Sequence, residues 1–224
     1  VLLFVGRMMW YKGVRIILDA LAALAGRGLD FRMVFVGGGL ELDEIRAAAL
    51  SAGIAEKCLF KGPIHDREAL MAWYSRADLL LFPSTYDTNG LVVREAAACS
   101  LGSVLVRGSC AAEGVTDNVN GLLIEENAAS LAVCLAQIMD RPEAMERIGE
   151  RAGEDLYISW ESAVAKAYER YLVVIDNYRS GCYRKPRRLS DSIFSVSGNV
   201  LDLYDKAKGL WSGFGHDEPS DRYR

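Results

Sequence analysis

The sequence predicts an α/β fold, in which helices cover both faces of a parallel six-stranded sheet and further helices follow the last strand. Six short, mostly aliphatic runs alternate with segments whose apolar residues recur at helical spacing. Successive runs start about 20 to 30 residues apart, as in strand–helix–strand units. After about Arg141 only helical patterns remain. The predicted sheet is therefore doubly wound and Rossmann-like, with a ligand site expected at the carboxyl ends of its strands.

The six predicted strands are continuous apolar runs, and they do not alternate apolar with polar residues. A strand that is buried on both faces of a sheet has this pattern. The first run ends at Gly6 and the second at Gly37, and glycine commonly punctuates such runs. The strands are predicted at 1–5, 31–36, 58–60, 78–82, 104–106 and 121–124.

The predicted helices carry apolar residues three and four positions apart. The first begins at Val14 and is closed by Gly26 and Gly28, because glycine tolerates the left-handed backbone that ends many helices. The second has acidic residues in its first turn, where the helix dipole favours them. The helical patterns cover 14–24, 41–52, 65–76, 91–100, 131–138, a segment that begins near Pro142, 160–175 and 200–211.

Composition excludes several classes of protein. The 224 residues carry a net charge of −4, which argues against a general nucleic-acid binder or a strongly cationic membrane protein. No apolar run approaches the roughly 18 residues of a membrane-spanning helix. The sequence begins inside a strand, without a methionine or a signal peptide, so we interpret it as a fragment whose upstream part is missing.

The five cysteines and two histidines form no metal-binding or disulfide pattern. The cysteines are widely spaced and include no Cys-x-x-Cys pair, so neither a zinc site nor a disulfide framework is expected. This usage suits a reducing compartment. We therefore expect a cytoplasmic protein without a zinc site.

The most informative segment is the loop 83–90 together with the helix after it. Asp87 lies in the loop, and Glu95 lies eight positions later, about one turn inside the helix. Asn89 and Gly90 are typical of a helix start, where backbone amides have no partner within the helix. Such amides, at the positive end of a helix, bind anions and above all phosphate. A ligand at this helix start would meet Asp87 from the loop and Glu95 from the helix.

This acidic pair resembles the paired-glutamate motif of the retaining glycosyltransferases of family 4, which share the GT-B fold. In both, the motif stands between a strand that ends in Pro-Ser and an Ala-rich helix. Asp87 replaces the usual first glutamate, which shortens the side chain by one methylene, and residues 88–90 replace the commoner Gly-Phe-Gly. The resemblance covers about 1–175, with several motifs in the family's order. It implies the carboxyl-terminal, donor-binding half of a GT-B fold.

The loop after the first strand carries two cations, Arg7 and Lys12, directly behind Gly6. On the residues alone, they are either a pair that brackets a diphosphate or two solvated surface charges. The pattern Gly-Arg, four residues, Lys-Gly resembles the family's diphosphate-binding loop. The resemblance therefore implies that Gly6 belongs to the donor site and that Arg7 and Lys12 neutralise the departing nucleoside diphosphate. With Asp87, these two cations are the predicted catalytic residues.

Two further loops resemble donor-binding elements of the family. The three glycines centred on Gly38 either permit a tight turn or let a ligand approach the backbone closely. The resemblance assigns Gly38 to the donor site. The loop that contains Ile64 resembles the segment beside the nucleobase, so Ile64 is the expected contact there. We interpret His65 as a surface or helix-start histidine, in preference to an acid or base.

Within the acidic motif, the resemblance implies a role for each group. Asp87 would hydrogen-bond hydroxyls of the transferred sugar, backbone amides would meet the diphosphate, and Glu95 would hold the ribose. This division fits elementary chemistry, because carboxylates accept from hydroxyls whereas amides donate to phosphate oxygens. The donor-binding segment between the two acids consists of Thr88, Asn89, Gly90 and Leu91.

The resemblance also implies a reaction and a domain organisation. A hexose would pass from a UDP- or GDP-sugar to an acceptor with retention at the anomeric carbon, and no metal or other cofactor is expected. The acceptor would be a sugar, a lipid or another hydroxyl compound. Residues 1–178 would form the donor-binding domain, and residues 179–224 a C-terminal extension with an amphipathic helix. The acceptor would be held by an N-terminal domain that is absent from this chain. We therefore expect the isolated fragment to be inactive.

Two other functions stay open on the residues alone. A nucleotide-binding or regulatory module of the same fold, without catalysis, is kept open by Asp87 in the glutamate position. A dehydrogenase-type domain would share the strand–helix alternation, but the sequence has no Gly-x-Gly-x-x-Gly fingerprint. Nucleotide binding without sugar transfer would favour the first alternative, and nicotinamide binding would favour the second.

The last forty residues leave membrane association open. The basic segment 184–188 is either a solvated linker or a contact with anionic lipid. The amphipathic pattern 200–211 either packs on a domain or lies on a membrane surface, although acidic residues flank it. If the pattern 200–211 lies on a membrane surface, we expect peripheral association with the inner face of the membrane.

Overall fold

The computed structural model describes residues 1–182. Within them, six strands form one sheet, all parallel, in the order β3-β2-β1-β4-β5-β6. The predicted number of strands and their parallel arrangement are confirmed. The strands are β1 Leu2–Val5, β2 Met33–Val36, β3 Cys58–Gly62, β4 Leu79–Phe82, β5 Ser103–Val106 and β6 Leu122–Ile124.

Seven α-helices in the described part of the chain connect and follow these strands. Two of them begin with a side chain that satisfies a free backbone amide. Asp66 accepts from the amide of Ala69 at the start of α3, and Asn127 accepts from the amide of Ser130 at the start of α5, both at 2.8 Å. The helices are α1 Val14–Gly26, α2 Leu42–Ser51, α3 Arg67–Arg76, α4 Leu91–Ala98, α5 Ala128–Ile138, α6 Pro142–Leu156 and α7 Trp160–Arg179.

The sheet is buried on both faces because its strands are apolar on both sides. Every residue of β1, β2, β4 and β5 is buried, whereas β3, at the edge, alternates between half-buried and exposed residues. Around the sheet, α1 packs against α5 and α4 packs against α6. Burial of this apolar surface, at about 25 cal/mol per Å², is the main stabilising contribution to the fold.

The strand order reverses at the centre of the sheet. From β1 the chain moves outward through β2 to β3, and then returns to the other side of β1 as β4. At such a switch point, the loops that leave the carboxyl ends of the two central strands diverge and open a crevice between them. The loop with Arg7 and Lys12 follows β1, and the loop with Asp87 follows β4. The topology therefore brings the predicted cations and the first predicted acid to the same crevice.

Most element boundaries differ from the prediction by one to four residues, and two of these differences have a clear backbone cause. β3 continues to Gly62, because this glycine pairs with Val36 after a register shift in β2. α4 ends at Ala98 instead of residue 100, because Ser100 adopts a left-handed backbone with φ of 53°. The amide of Leu101 then turns back to the Ala96 carbonyl at 3.0 Å, which closes the helix.

The chain divides into two compact units, Val1–Ser159 and Trp160–Arg224. Of the second unit the structure describes residues 160–182, and the side chains of its helix α7 are not buried. The predicted end of the donor-binding domain at residue 178 stays a prediction. The segments 184–188 and 200–211 lie outside the described residues. Within residues 1–182 no helix is both long and apolar enough to cross a membrane.

Candidate functional site

Four loops leave the carboxyl ends of β1, β2, β3 and β4, and backbone hydrogen bonds join the first three. The amide of Met8 in the first loop donates to the carbonyl of Gly38 in the second, at 3.0 Å. The amide of Gly37 donates to the carbonyl of Gly62 at the end of β3, at 2.9 Å. The loops are therefore fixed relative to one another through their backbones, before any side chain is considered.

Two glycines let the first loop approach its neighbours. A Cβ atom on Gly37 would lie 1.9 Å from the carbonyl oxygen of Gly6, and one on Gly13 would lie 2.0 Å from that of Pro83. Both glycines also have positive φ angles, 133° and 78°, which other residues rarely adopt. Only glycine fits at these positions, so they hold the first loop against the second and the fourth.

The first of two clefts lies between the first and fourth loops, with a volume of about 690 Å³. Among the predicted site residues, it brings together both cations, the first acid and three members of the donor-binding segment. Gly90 is buried at the start of α4 and does not line it. The lining residues are Arg7, Tyr11, Lys12, Thr85, Tyr86, Asp87, Thr88, Asn89, Leu91 and Val92.

Lys12 and Asp87 form an ion pair on one wall of this cleft. The Lys12 Nζ atom lies 2.9 Å from Asp87 Oδ2 and also donates to the carbonyl oxygen of Tyr86 at 2.8 Å. The two side chains are only 13% and 20% exposed. Partial burial reduces solvent screening, so the pair fixes the positions of both groups more firmly than a surface ion pair does.

The second oxygen of Asp87 organises the start of α4. Asp87 Oδ1 accepts from the amide of Asn89 at 3.1 Å and from that of Gly90 at 2.6 Å. Gly90 is the N-cap of α4 and has no side chain with which to cap it, so the aspartate supplies the acceptor from the loop. The short side chain of aspartate places its carboxylate within reach of the amides two and three positions later. Asp87 therefore has a structural role in this loop.

The same contacts change the acidity of Asp87. Burial opposes its ionisation, but the hydrogen bonds from Lys12 and from the amides of Gly90 and Asn89 outweigh burial and hold the pKa of Asp87 below its ordinary value of 3.8. The side chain is therefore a carboxylate at neutral pH. In this form it can accept hydrogen bonds and has no proton to donate.

The first amides of α4 stay available next to this carboxylate. Among residues 1–182, no acceptor bonds to the amides of Leu91 or Val92. Both residues line the first cleft. The helix start therefore keeps two backbone donors for an anion, although Asp87 engages the amides of Asn89 and Gly90.

The second cleft, of about 540 Å³, lies over the ends of β1, β2 and β3. Its lining is mostly apolar or backbone, and it contains the predicted residues Gly6, Gly38 and Ile64. Arg7 lines both clefts and joins them. His65 lies at the edge of the second cleft, as an exposed residue before α3.

Glu95 lines neither of these two clefts. It is exposed on the second turn of α4, where its Oε2 atom accepts from the hydroxyl of Tyr74 at 2.8 Å. Tyr74 comes from α3 and is only 1% exposed. The structure therefore pairs the second acid with a buried phenol from a neighbouring helix, a residue that the sequence analysis did not identify.

The sequence analysis also missed two tyrosines in the first cleft. Tyr11 precedes Lys12, Tyr86 precedes Asp87, and their rings meet edge to face with centroids 5.7 Å apart. Lys12 Nζ lies 5.7 Å from the centre of the Tyr11 ring. The sequence does contain a signal for them, because a tyrosine directly precedes each of the two charged residues. Loops that bring the charged side chains together also bring these two rings together.

The described residues contain no group of three or more His, Cys, Asp or Glu side chains that could hold a metal ion. All five cysteines are free thiols. Burial raises the pKa of Cys58 and of Cys134, in each case to about 11, so neither is a thiolate at neutral pH. The expectation that no metal and no other cofactor is needed stays a prediction.

A family model described as "Glycosyl transferases group 1" matches residues 1–155, which is more than two thirds of the chain. Curated relatives agree with it. D-inositol 3-phosphate glycosyltransferase 2 of Catenulispora acidiphila is 32% identical over 83% of this chain and 46% of its own length. A GDP-mannose-dependent alpha-(1-6)-phosphatidylinositol dimannoside mannosyltransferase of Mycobacterium tuberculosis is 31% identical over 71% of this chain and 40% of its own. The chain thus spans less than half of these relatives.

Solved structures share the fold. The alignment with Anabaena Alr3699/HepE, solved in complex with UDP and glucose, covers 68% of this chain and 42% of that chain, with 26% identity and a TM-score of 0.60. The alignment with sucrose-phosphate synthase from Thermosynechococcus elongatus covers 78% of this chain and 45% of that chain, with 25% identity and a TM-score of 0.70. Together with the strand order, this likeness confirms the predicted fold class, a Rossmann-like half of a GT-B fold.

Proposed function

The chain belongs to the glycosyl transferases group 1 family, and from this premise we propose that it is the donor-binding half of a retaining, family 4 hexosyltransferase that uses a UDP- or GDP-sugar. The observation that carries the proposal is the position of Arg7 between the two clefts. Within the described residues its guanidinium forms no ion pair and no side-chain hydrogen bond. The parts of a nucleoside diphosphate sugar follow the same order as these features: a flat base for one cleft, two phosphates for Arg7 and a sugar for the other cleft.

Each part of the donor then has a site whose chemistry suits it. The base would lie in the apolar second cleft, beside Ile64 and the backbone of Gly38. The ribose would meet Glu95, the role that the resemblance to the family implies. The diphosphate would lie at Arg7 and at the start of α4, because a guanidinium and free helix amides both bind phosphate oxygens. The sugar would lie in the first cleft beside Asp87, whose carboxylate accepts from hydroxyls.

The hydrogen-bond capacity of Lys12 and Asp87 leaves room for the donor. An ammonium has three N–H groups, and Lys12 uses two of them, on Asp87 and on the Tyr86 carbonyl. A carboxylate has about four acceptor sites, and Asp87 uses three, for Lys12, Asn89 and Gly90. One donor on Lys12 would meet a phosphate oxygen, and one acceptor on Asp87 would meet a sugar hydroxyl.

Catalysis would consist of placement and charge stabilisation. When the bond between the anomeric carbon and the diphosphate breaks, negative charge grows on the leaving phosphate oxygens. Arg7, Lys12 and the amides of Leu91 and Val92 would stabilise that charge from fixed positions, which costs no reorganisation during the reaction. The acceptor hydroxyl would attack from the same face as the leaving group and pass its proton to the departing phosphate oxygen, so that the anomeric configuration is retained.

Three further features belong to the proposal. The acceptor, a sugar, a lipid or another hydroxyl compound, would be held by a part of the protein outside this chain. The mannosyltransferase relative acts on a phosphatidylinositol dimannoside, which supports a lipid-linked sugar as one class of acceptor. A cytoplasmic location at the inner face of a membrane would suit such an acceptor.

A second candidate function is nucleotide binding without catalysis. It is favoured by the engagement of both Asp87 oxygens, which gives this residue a complete structural role even without a sugar. The two candidates differ in one measurable property. A transferase releases the nucleoside diphosphate from the donor when the acceptor is present, whereas a binding module does not.

The experiment that tests the proposal is calorimetric titration of this chain with UDP, GDP and ADP at matched salt, followed by an NMR assay of the anomeric configuration of the product that the complete enzyme forms. We expect UDP or GDP to bind and ADP not to bind. Arg7→Ala should weaken binding about tenfold, and the control Arg27→Ala, at an exposed arginine after α1, should leave it unchanged. Absence of binding by both UDP and GDP, or an inverted product, would contradict the proposal.

A further inference from the structure

The contact between Tyr74 and Glu95 joins a fully buried residue to an exposed one. Tyr74 lies on α3 with 1% of its surface exposed, and its hydroxyl donates to Glu95 Oε2 at 2.8 Å. Glu95 is exposed on α4, and no described residue donates to its other oxygen, Oε1. One oxygen of this carboxylate is thus held from inside the protein, while the other has no hydrogen-bond partner among residues 1–182.

Packing of α3 against α4 fixes the geometry of this contact. The two helices are in contact along the face of α4 that carries Glu95 and, one turn later, Cys99. The Cys99 sulfur lies 3.7 Å from that of Met71, which is one turn before Tyr74 on α3. Because the Tyr74 ring is enclosed in the core, its hydroxyl cannot follow a moving carboxylate. The hydrogen bond therefore favours conformations of Glu95 in which Oε2 lies at the Tyr74 hydroxyl.

The phenol is also chemically suited to remain a donor. Burial, together with the charge of the Glu95 carboxylate and the hydrogen bond to it, raises the pKa of Tyr74 far above its ordinary value. Tyr74 therefore keeps its proton throughout the physiological range. It always donates to Oε2, and Oε1 remains an acceptor for a ligand hydroxyl.

We propose that Tyr74 is a positioning residue for the donor nucleotide, which acts by holding the Glu95 carboxylate in the orientation that receives the ribose hydroxyls. The inference rests on the proposed function, because it takes Glu95, which lines neither cleft itself, as the ribose ligand that the family resemblance implies. A flexible glutamate loses side-chain entropy when it binds a diol, and a buried hydroxyl that restrains it beforehand removes part of that loss from the binding step. The expected consequence is tighter binding of ribonucleotides, with no contribution when the ribose hydroxyls are absent.

A purely structural role predicts something else. A buried tyrosine usually finds a hydrogen-bond partner, and Glu95 would then serve only to satisfy the Tyr74 hydroxyl. In that case removal of the hydroxyl would alter stability, and any effect on binding would be the same for every nucleotide. The two roles are therefore separated by the dependence of the effect on the ribose hydroxyls.

The test is Tyr74→Phe in the full chain, which removes the hydroxyl and keeps the ring. Calorimetry would measure the affinities for UDP, GDP and the 2′,3′-dideoxy analogue of each. We expect Tyr74→Phe to weaken binding of the ribonucleotide about three- to tenfold, the usual range for one hydrogen bond, and to leave binding of the dideoxy analogue unchanged. In a Glu95→Ala background, Tyr74→Phe should have no further effect. Tyr157→Phe, at a half-exposed tyrosine after α6 that lines neither cleft, is the matched control.

The outcomes distinguish this inference from the proposed function. If the unaltered chain binds UDP or GDP, and Tyr74→Phe weakens the ribonucleotide and its dideoxy analogue equally or weakens neither, the inference alone is overturned. If the unaltered chain binds neither UDP nor GDP, the proposed function fails and the inference fails with it. Thermal melting of each variant, and the unchanged dideoxy affinity, show whether Tyr74→Phe has kept the fold.

Discussion

The two acids of the motif lie eight residues apart, but the structure holds them in opposite ways. Asp87 sits in a loop, and its carboxylate receives three hydrogen bonds, from Lys12 and from two backbone amides. Glu95 sits on a helix, and its carboxylate receives one hydrogen bond, from the buried Tyr74. One acid is built into the local structure, whereas the other is restrained from one side and otherwise open.

This difference indicates that the aspartate at the first position of the motif has a structural role in addition to its proposed role in binding. Aspartate is short enough to accept from the amides of Asn89 and Gly90, which are two and three positions later. A glutamate at the same position is one methylene longer, and its carboxylate would extend past these amides into the cleft. Asp87 therefore both organises the start of α4 and makes the proposed contact with the sugar. Substitutions of Asp87 should separate these two roles.

The largest expected effect comes from removal of the cation that faces Asp87. Lys12→Ala deletes the ammonium that would meet the leaving diphosphate, so turnover of the complete enzyme should fall at least tenfold, and on the order of a hundredfold if its role resembles that of one oxyanion donor. Steady-state kinetics with the UDP- or GDP-sugar would measure this. Lys57→Ala, which breaks a surface pair with Asp30, is the control. Unchanged turnover in Lys12→Ala would remove its assigned role.

An intermediate effect should come from Asp87 itself. Asp87→Asn keeps an oxygen for the amides of Asn89 and Gly90 but loses the charge next to Lys12, so it should lower turnover about tenfold while it changes the free energy of unfolding by less than about 1 kcal/mol. Asp87→Ala loses both, so it should in addition cost about 1 kcal/mol of stability. Denaturant unfolding and kinetics on the same samples give the two numbers.

Glu95 supplies the contrast for these two variants. Glu95→Ala should weaken nucleotide binding and leave the start of α4 intact, because the carboxylate bonds no backbone amide. If Asp87→Asn and Asp87→Ala lowered stability equally, the loop role of Asp87 would be wrong. If Glu95→Ala destabilised the chain as much as Asp87→Ala, the proposed difference between the acids would not hold.

Much of the fold followed from the sequence, because continuous apolar runs that alternate with helical patterns allow few arrangements. Four residues of β1 and four of β4 are all buried, as a parallel strand covered on both faces requires. The end of α4 was harder to predict. It depends on the left-handed backbone of Ser100, a residue type that gives no strong signal for that conformation.

The site was predictable in part, for a physical reason. Arg7, Lys12 and Asp87 follow β1 and β4, and strand order alone brings those two loops together. Tyr74 was not identified because it lies in the last turn of α3, where a helical pattern makes an aromatic residue resemble an ordinary core residue. The three hydrogen bonds to Asp87 were also beyond the sequence, because they depend on the exact path of the loop 83–90. The roles assigned to these site residues stay predictions until binding is measured.

The smallest expected effect concerns pH and the Asp87 carboxylate. Its pKa is held below the ordinary value of 3.8 in the folded chain, so folding favours the ionised form. The resulting stabilisation is complete well above that value and is lost as the pH falls below it and through the lower folded pKa. The difference in unfolding free energy between the unaltered chain and Asp87→Asn should therefore be constant between about pH 5 and 7 and should shrink below about pH 4. Asp19→Asn, at an exposed aspartate on α1, is the control. A difference that stayed constant down to pH 3 would mean that Lys12 and the loop amides do not favour the charged form, and the contrast with Glu95 would then rest on geometry alone.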